Sequence, residues 1–174
     1  MGLMIVFTAF LCVAVIVYDV LFRRVPNGLL LLFLLAHTAC MIVAGHGIGG
    51  IDVWRSVTGL TLGLIVFVPL YVWRVMGAGD VKFLAIIGAL LGLKGLFVVW
   101  LIASVLAGLH ALVFHVLVVW ESAIPFRLNR IMQQIADGEM YKRMVSARQG
   151  RKGTPYAAYL AIALIYSLGK AWGG

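Results

Sequence analysis

Asp19 and Asp80 are the two residues of this sequence whose type and setting could do chemistry. Both stand beside long uncharged runs, although only six of the 174 residues are Asp or Glu. An ionisable side chain at membrane depth costs roughly 2.5–3.5 kcal/mol on insertion scales, and such residues are functional candidates. Two carboxylates that meet in a poorly hydrated site share a proton. One can then accept a proton from water while the other donates one to a carbonyl oxygen.

Asp80 belongs to the stretch Gly77-Ala78-Gly79-Asp80-Val81-Lys82, in the middle of the chain. Gly77 and Gly79 allow unusual backbone conformations and leave room for another chain to approach. Lys82 is a candidate for stabilising the charged form of Asp80 or an oxyanion. This stretch predicts a reactive carboxylate at the start of a membrane helix.

Asp19 stands near the end of the first apolar run, four residues before Arg23. The alternative to a catalytic role is an interface anchor in which Asp19 pairs with Arg23. We expect Arg23 and Arg24 to be interface anchors. The two aspartates at equal membrane depth favour the catalytic interpretation.

The elements that must position these residues are apolar helices. Charged residues make up 11% of the chain and the mean hydropathy is +1.09, which is typical of an integral membrane protein. We predict a single all-α domain over residues 1–174, with about six transmembrane helices and a retained first helix. Their predicted ranges are 1–18, 28–45, 53–75, 81–93, 96–120 and 154–169, with Lys94-Gly95 ending the fourth.

Residues 121–153 form a basic loop with seven of the 14 Lys and Arg residues. Within it, apolar residues at helical spacing predict an amphipathic helix in the membrane interface. Basic residues concentrate in the loops after the first, third and fifth helices, which predicts that these loops are cytoplasmic and both termini lie outside. Asp19 and Asp80 then share the cytoplasmic membrane face.

Several other polar or reactive residues have structural interpretations. We expect Cys12 and Cys40 to pack inside helices, since two cysteines cannot form a four-thiolate zinc site. We expect His37 to be a neutral hydrogen-bonding group between helices. Asp52, across the membrane from the pair, is expected to be a solvated loop acid or the N-cap of the third helix. We predict no metal site.

Three motifs resemble the type IV prepilin peptidase family of Gly-x-Gly-Asp intramembrane aspartyl proteases. Gly77-Ala78-Gly79-Asp80 resembles the signature itself, and Val81-Lys82 extends it. Asp19 with Arg23-Arg24-Val25-Pro26-Asn27 is similar to the first aspartate and its basic Pro-Asn segment. Thr154-Pro155-Tyr156-Ala157 is similar to the Pro-Tyr/Phe-Gly segment that opens the last helix, with Ala157 in place of the usual glycine.

This resemblance implies an aspartic endopeptidase of the bacterial inner membrane with Asp19 and Asp80 as catalytic residues. The implied substrate is a type IV or Flp prepilin or pseudopilin, cut after its short basic leader at the cytoplasmic membrane face. The chain resembles the compact CpaA/TadV-like branch of tight-adherence pili. Proteolysis needs no cofactor. Because the sequence lacks the paired-cysteine domain of the larger family members, we do not expect it to carry out methylation with S-adenosylmethionine. The implied partners are the precursor and membrane lipid, with no nucleic acid.

Two other interpretations remain open from the sequence. A small transporter or channel could use Asp19 and Asp80 as a proton or cation site. A non-catalytic component of a pilus assembly machine could carry the same residues. The sequence does not determine which aspartate acts as base.

Overall fold

The computed structural model describes residues 2–119, 146 and 154–173. Within these ranges the secondary structure is helical, with no strand. The helices are α1 (Gly2–Phe22), α2 (Asn27–Ala44), α3 (Val53–Val72), α4 (Ala78–Val119) and α5 (Tyr156–Gly173). One residue inside α4, Gly92, has a non-helical backbone conformation, with φ 69° and ψ −178°.

Three stretches of these helices are long and apolar enough to cross a membrane, namely Asn27–Ala44, Val53–Val72 and Ala78–Leu117. Shorter apolar stretches cover Val6–Phe22 and Tyr156–Lys170. A straight helix of 42 residues would be about 63 Å long, roughly twice the hydrocarbon thickness of about 30 Å. The break at Gly92 therefore divides α4 into a shorter segment of 14 residues, about 21 Å long, and a longer one of 27 residues, about 40 Å long. Predicted and observed structure agree on an all-helical, membrane-compatible fold.

The first half of α4 is the centre of the packing. Phe83, Leu84, Ile87 and Leu90 on this segment are all fully buried. The helices α3, α5 and α2 pack against α4, and α1 packs against α5 and α2. Residues 83–90 are buried at every position and none of them is polar, as expected for a segment that is covered on all sides.

Small residues allow α3 and α4 to pack with their backbones in contact. A Cβ added to Gly59 would lie 2.0 Å from the carbonyl oxygen of Gly88, and one added to Gly88 would lie 2.3 Å from that of Gly59. A Cβ on Gly63 would lie 3.1 Å from the Cα of Ala85. Gly59, Gly63 and Gly88 therefore allow α3 and α4 to pack closely, because no side chain fits between these helices.

A polar contact joins α2 to α3 at the end of the molecule far from the aspartates. His37 Nε2 lies 2.9 Å from Ser56 Oγ, and the backbone N–H of Ile48 donates to His37 Nδ1 at 3.3 Å. Since Nδ1 accepts this bond, the Nε2–H form donates to Ser56. Asp52 caps α3 by accepting from the N–H of Arg55. The predicted roles of His37 and Asp52 are both confirmed, and Cys12 and Cys40 are buried as expected.

The helix ends differ from the predicted ones in ways that affect the site. α1 continues past Tyr18 to Phe22, so Asp19 lies inside its last turn. α4 begins at Ala78 and not at Val81, so Asp80 lies inside its first turn. The break falls at Gly92 and not at Lys94-Gly95. Gly92 has a φ of 69°, which glycine adopts at low cost. The predicted amphipathic helix and most of the 121–153 loop lie outside the described residues.

Candidate active site

Asp19 is held in the last turn of α1, where it is 6% exposed. Its Oδ2 accepts a hydrogen bond of 2.9 Å from the backbone N–H of Ala158. Ala158 is the third residue of α5, and the first N–H groups of a helix have no acceptor within that helix. The Asp19 side chain therefore satisfies a donor at the N-terminus of α5, where the helix dipole also favours a negative charge.

Asp80 is the third residue of α4 and is half-buried. Its carboxylate lies against Gly77, the residue just before the helix, and is within hydrogen-bonding reach of the Gly77 backbone. The Val81 N–H donates to the Gly77 carbonyl at 3.2 Å. An acid at this position commonly turns back to the residue before a helix. The Gly-x-Gly-Asp stretch is thus a helix start that fixes the carboxylate.

One cavity of about 550 Å³ is lined by both aspartates. It is formed by the end of α1, the 23–25 connection, the start of α4 and the start of α5. Asp19 and Asp80 are close enough for their charges to interact. The structure therefore brings together two acids that are 61 positions apart in sequence, as the sequence predicts.

Arg23 and Arg24 also line the cavity. Arg23 has a φ of 53°, in the left-handed region, and its N–H donates to the Asp19 carbonyl at 2.9 Å where α1 ends. Arg23 is half-buried, and it lies near enough to the Asp19 carboxylate to interact with it electrostatically. The two arginines thus add positive charge to a cavity that holds two carboxylates.

Tyr156 and Thr154 line the cavity from the start of α5. The Tyr156 hydroxyl lies 3.1 Å from Ser104 Oγ on α4, and Asp80 is near enough to act on Tyr156 electrostatically. The sequence indicated Tyr156 as a supporting residue and included Thr154 only as part of the same motif. It gave no site role to Ser104 or Ala158. Ser104 and Ala158 carry no local signal, because each contacts the site only through tertiary packing.

The remaining residues singled out from the sequence lie beside the cavity and do not line it. Lys82 Nζ donates to Asn27 Oδ1 at 3.2 Å, so the Lys82 side chain extends from α4 toward the start of α2 and away from Asp80. Pro26 precedes α2, and its carbonyl accepts from the N–H groups of Leu29 and Leu30. Pro155 is buried next to the first residue of α5.

The cavity is lined by two aspartates, two arginines, a threonine and a tyrosine at one end of the helices. Carboxylates in such a pair can divide the roles of base and acid, which suits attack by water on a carbonyl carbon. Among the described residues, no group of three or more His, Cys, Asp or Glu side chains converges on a point where a metal ion could bind.

Comparison with known proteins adds one match. The family model described as the type IV leader peptidase family matches residues 5–112. This range holds both aspartates and the Gly-x-Gly-Asp stretch, and it covers more than half of the chain. A search of curated proteins and a search of solved structures each gave no match.

Proposed function

The chain belongs to the type IV leader peptidase family, and on that premise we propose that it is an aspartic endopeptidase that removes the short basic leader from prepilins or pseudopilins. The observation that carries the proposal is the shared cavity of Asp19 and Asp80. Membership of a peptidase family and the apolar helices make the protein a membrane peptidase at the family level. The aspartic mechanism and the substrate are our inference.

The proposed reaction uses the two carboxylates as an acid–base pair. One carboxylate accepts a proton from a water molecule as its oxygen attacks the scissile carbonyl carbon. The other donates a proton to the carbonyl oxygen, which gives a tetrahedral intermediate. As the C–N bond breaks, the first carboxyl group gives its proton to the leaving amine, and the second carboxylate takes a proton back from a hydroxyl group of the intermediate. The pair then returns to its starting state. Holding water, acid and base in one cavity supplies the orientation that such a step needs.

The location of the cavity supports a substrate cut at the membrane boundary. Both aspartates lie at the ends of apolar helices, so a peptide bond beside an apolar segment could reach them at the same depth. We propose that this end faces the cytoplasm of a bacterial inner membrane with both termini outside, since the basic residues of the sequence concentrate in the loops after its first, third and fifth predicted helices. We further propose that the protein belongs to the compact branch of the family, whose substrates are the precursors of Flp pili.

The decisive experiment is cleavage of a prepilin by the purified protein in detergent. Wild type is expected to shorten the precursor by its leader, and Asp19→Asn and Asp80→Asn are each expected to abolish cleavage. Asp52→Asn is the matched control, because Asp52 is exposed, caps α3 at the opposite end and is replaced by another good N-cap residue. It is expected to cleave as wild type does.

Two results would contradict the proposal. Cleavage that survives either substitution would exclude the acid–base pair. An intact precursor after incubation with folded wild-type protein would favour transport or a non-catalytic assembly role, and proton flux into proteoliposomes would then separate these two.

A further inference from the structure

A second cavity of about 560 Å³ lies between α2, α3 and the start of α4. Leu31 and Leu34 of α2 form one wall, Leu60 and Leu64 of α3 form the other, and Ala85 and Ile86 form the floor. Ala85 is 2% exposed and Ile86 is 7% exposed, so the floor belongs to the core. We call this cavity the leucine groove.

The leucine groove has one polar end. Lys82 and Asn27 line it there, and the Lys82 ammonium donates to Asn27 Oδ1 at 3.2 Å. Of the described residues that line the groove, Lys82 is the only charged one. From Asn27 to Leu34 the groove follows α2 for eight residues, which span roughly 10 Å at a rise of about 1.5 Å per residue.

The polar end lies at the membrane depth of the aspartates. Lys82 follows Asp80 by two residues on α4, and Asn27 begins α2 just after the connection that lines the aspartate cavity. A lysine at the end of a spanning helix extends its ammonium group toward the headgroup layer. The apolar length of the groove then points from this layer into the hydrocarbon. The positive charge at headgroup level matches the phosphate of an anionic lipid, and the apolar length of the leucine groove matches its acyl chain.

We propose that the leucine groove binds an anionic phospholipid, with its phosphate at Lys82 and Asn27 and part of one acyl chain along the leucines. Basic pockets between membrane helices are known to select anionic headgroups. The positive end of the α2 dipole lies at the same place and favours the same charge. A second copy of this chain fits less well, because each copy carries a net charge of +8 and would present the same lysine. The lipid site does not rest on the peptidase activity.

Lipid binding to the purified full-length protein tests the site. Detergent-solubilised protein is titrated with phosphatidylglycerol or phosphatidylcholine of identical acyl chains, and bound lipid is counted by native mass spectrometry. Wild type is expected to prefer phosphatidylglycerol. Lys82→Gln is expected to weaken that binding about fivefold, the size of one lysine's attraction to an anionic headgroup. Lys94→Gln is the matched control, since it removes the same charge from an exposed position of α4 outside the groove.

A groove-filling variant tests the acyl-chain half of the proposal independently of charge. Leu64 is 38% exposed at the groove wall, so Leu64→Trp is expected to fold and to reduce binding of both lipids. Equal wild-type affinity for the two lipids, or equal loss in Lys82→Gln and Lys94→Gln, would overturn the proposal. Unchanged binding in Leu64→Trp would overturn it as well. Displacement of the lipid by the apolar segment of a prepilin would assign the groove to the substrate instead.

Discussion

The Asp19 carboxylate accepts a 2.9 Å hydrogen bond from the backbone N–H of Ala158, although 139 positions separate the two residues. One side chain therefore both lines the cavity and completes the N-terminus of α5. This contact ties the end of α1 to the start of α5, where Tyr156 and Thr154 enter the same cavity. The geometry of the site and the packing of its last helix thus depend on the same bond.

Replacing Asp19 should separate its structural contribution from its chemical one. Asp19→Asn keeps an oxygen that can accept from Ala158, whereas Asp19→Ala leaves a buried N–H without a partner. We expect the free energy of unfolding of Asp19→Ala to be lower than that of Asp19→Asn by about 1–3 kcal/mol. Both variants should lack cleavage. Reversible unfolding in mixed detergent measures the difference, and equal stabilities would contradict a structural role for the bond.

The two glycines before Asp80 should differ in their tolerance of a methyl group. A Cβ on Gly77 would lie 3.0 Å from Asp80 Oδ2, whereas one on Gly79 would lie 3.4 Å from Val25 Cβ. Gly77→Ala must therefore move the carboxylate. Small misplacements of reacting groups can cost on the order of 10²-fold, so we expect Gly77→Ala to lose at least about tenfold in kcat/KM.

Gly79→Ala serves as the comparison and is expected to retain most of its activity. The measurement is the cleavage rate of a prepilin peptide by each folded variant. A larger loss in Gly79→Ala than in Gly77→Ala would show that contact with the Asp80 carboxylate does not set the requirement for glycine.

The hydroxyl pair of Tyr156 and Ser104 should contribute to activity from the edge of the cavity. Removing a hydrogen-bonding hydroxyl usually changes an interaction by about 0.5–1.5 kcal/mol. We therefore expect Tyr156→Phe to lower kcat/KM by about two- to tenfold, and Ser104→Ala to have a smaller effect because Ser104 acts only through Tyr156. Steady-state kinetics of both single variants and the double variant checks this. Additive losses would show that the two hydroxyls act independently.

The contact of Gly59 with Gly88 should be sensitive to a single methyl group. The Cβ of Gly59→Ala would overlap a backbone carbonyl, which cannot move aside without separating α3 from α4. We expect a loss of about 1–3 kcal/mol, which is typical of overpacking. Gly108→Ala is the control, because its added methyl group meets nothing within 4 Å. Thermal unfolding measures both, and similar stabilities would argue against close packing at Gly59.

Much of the helical layout follows from local sequence. Uncharged runs of spanning length predict helices, and Asp52 before α3 predicts its N-cap. The direction of the Lys82 side chain could also have been predicted from the sequence, since two residues along a helix correspond to a rotation of about 200°. Lys82 must therefore point away from Asp80 once α4 begins at Ala78. The prediction placed that start at Val81, so it left Lys82 beside the carboxylate.

The sequence by itself determined that two acids stand at the ends of apolar helices and that glycines allow close packing near them. These properties depend on residue type and spacing along a single segment. Only the tertiary structure decided that Asp19 accepts a hydrogen bond from Ala158 and that the hydroxyl groups of Tyr156 and Ser104 lie in contact. It also decided that the α4 helix is interrupted at Gly92. Such choices depend on which helix packs beside which. Lateral packing is set by the summed fit of many side chains across several helices, and no single segment of the chain carries that information.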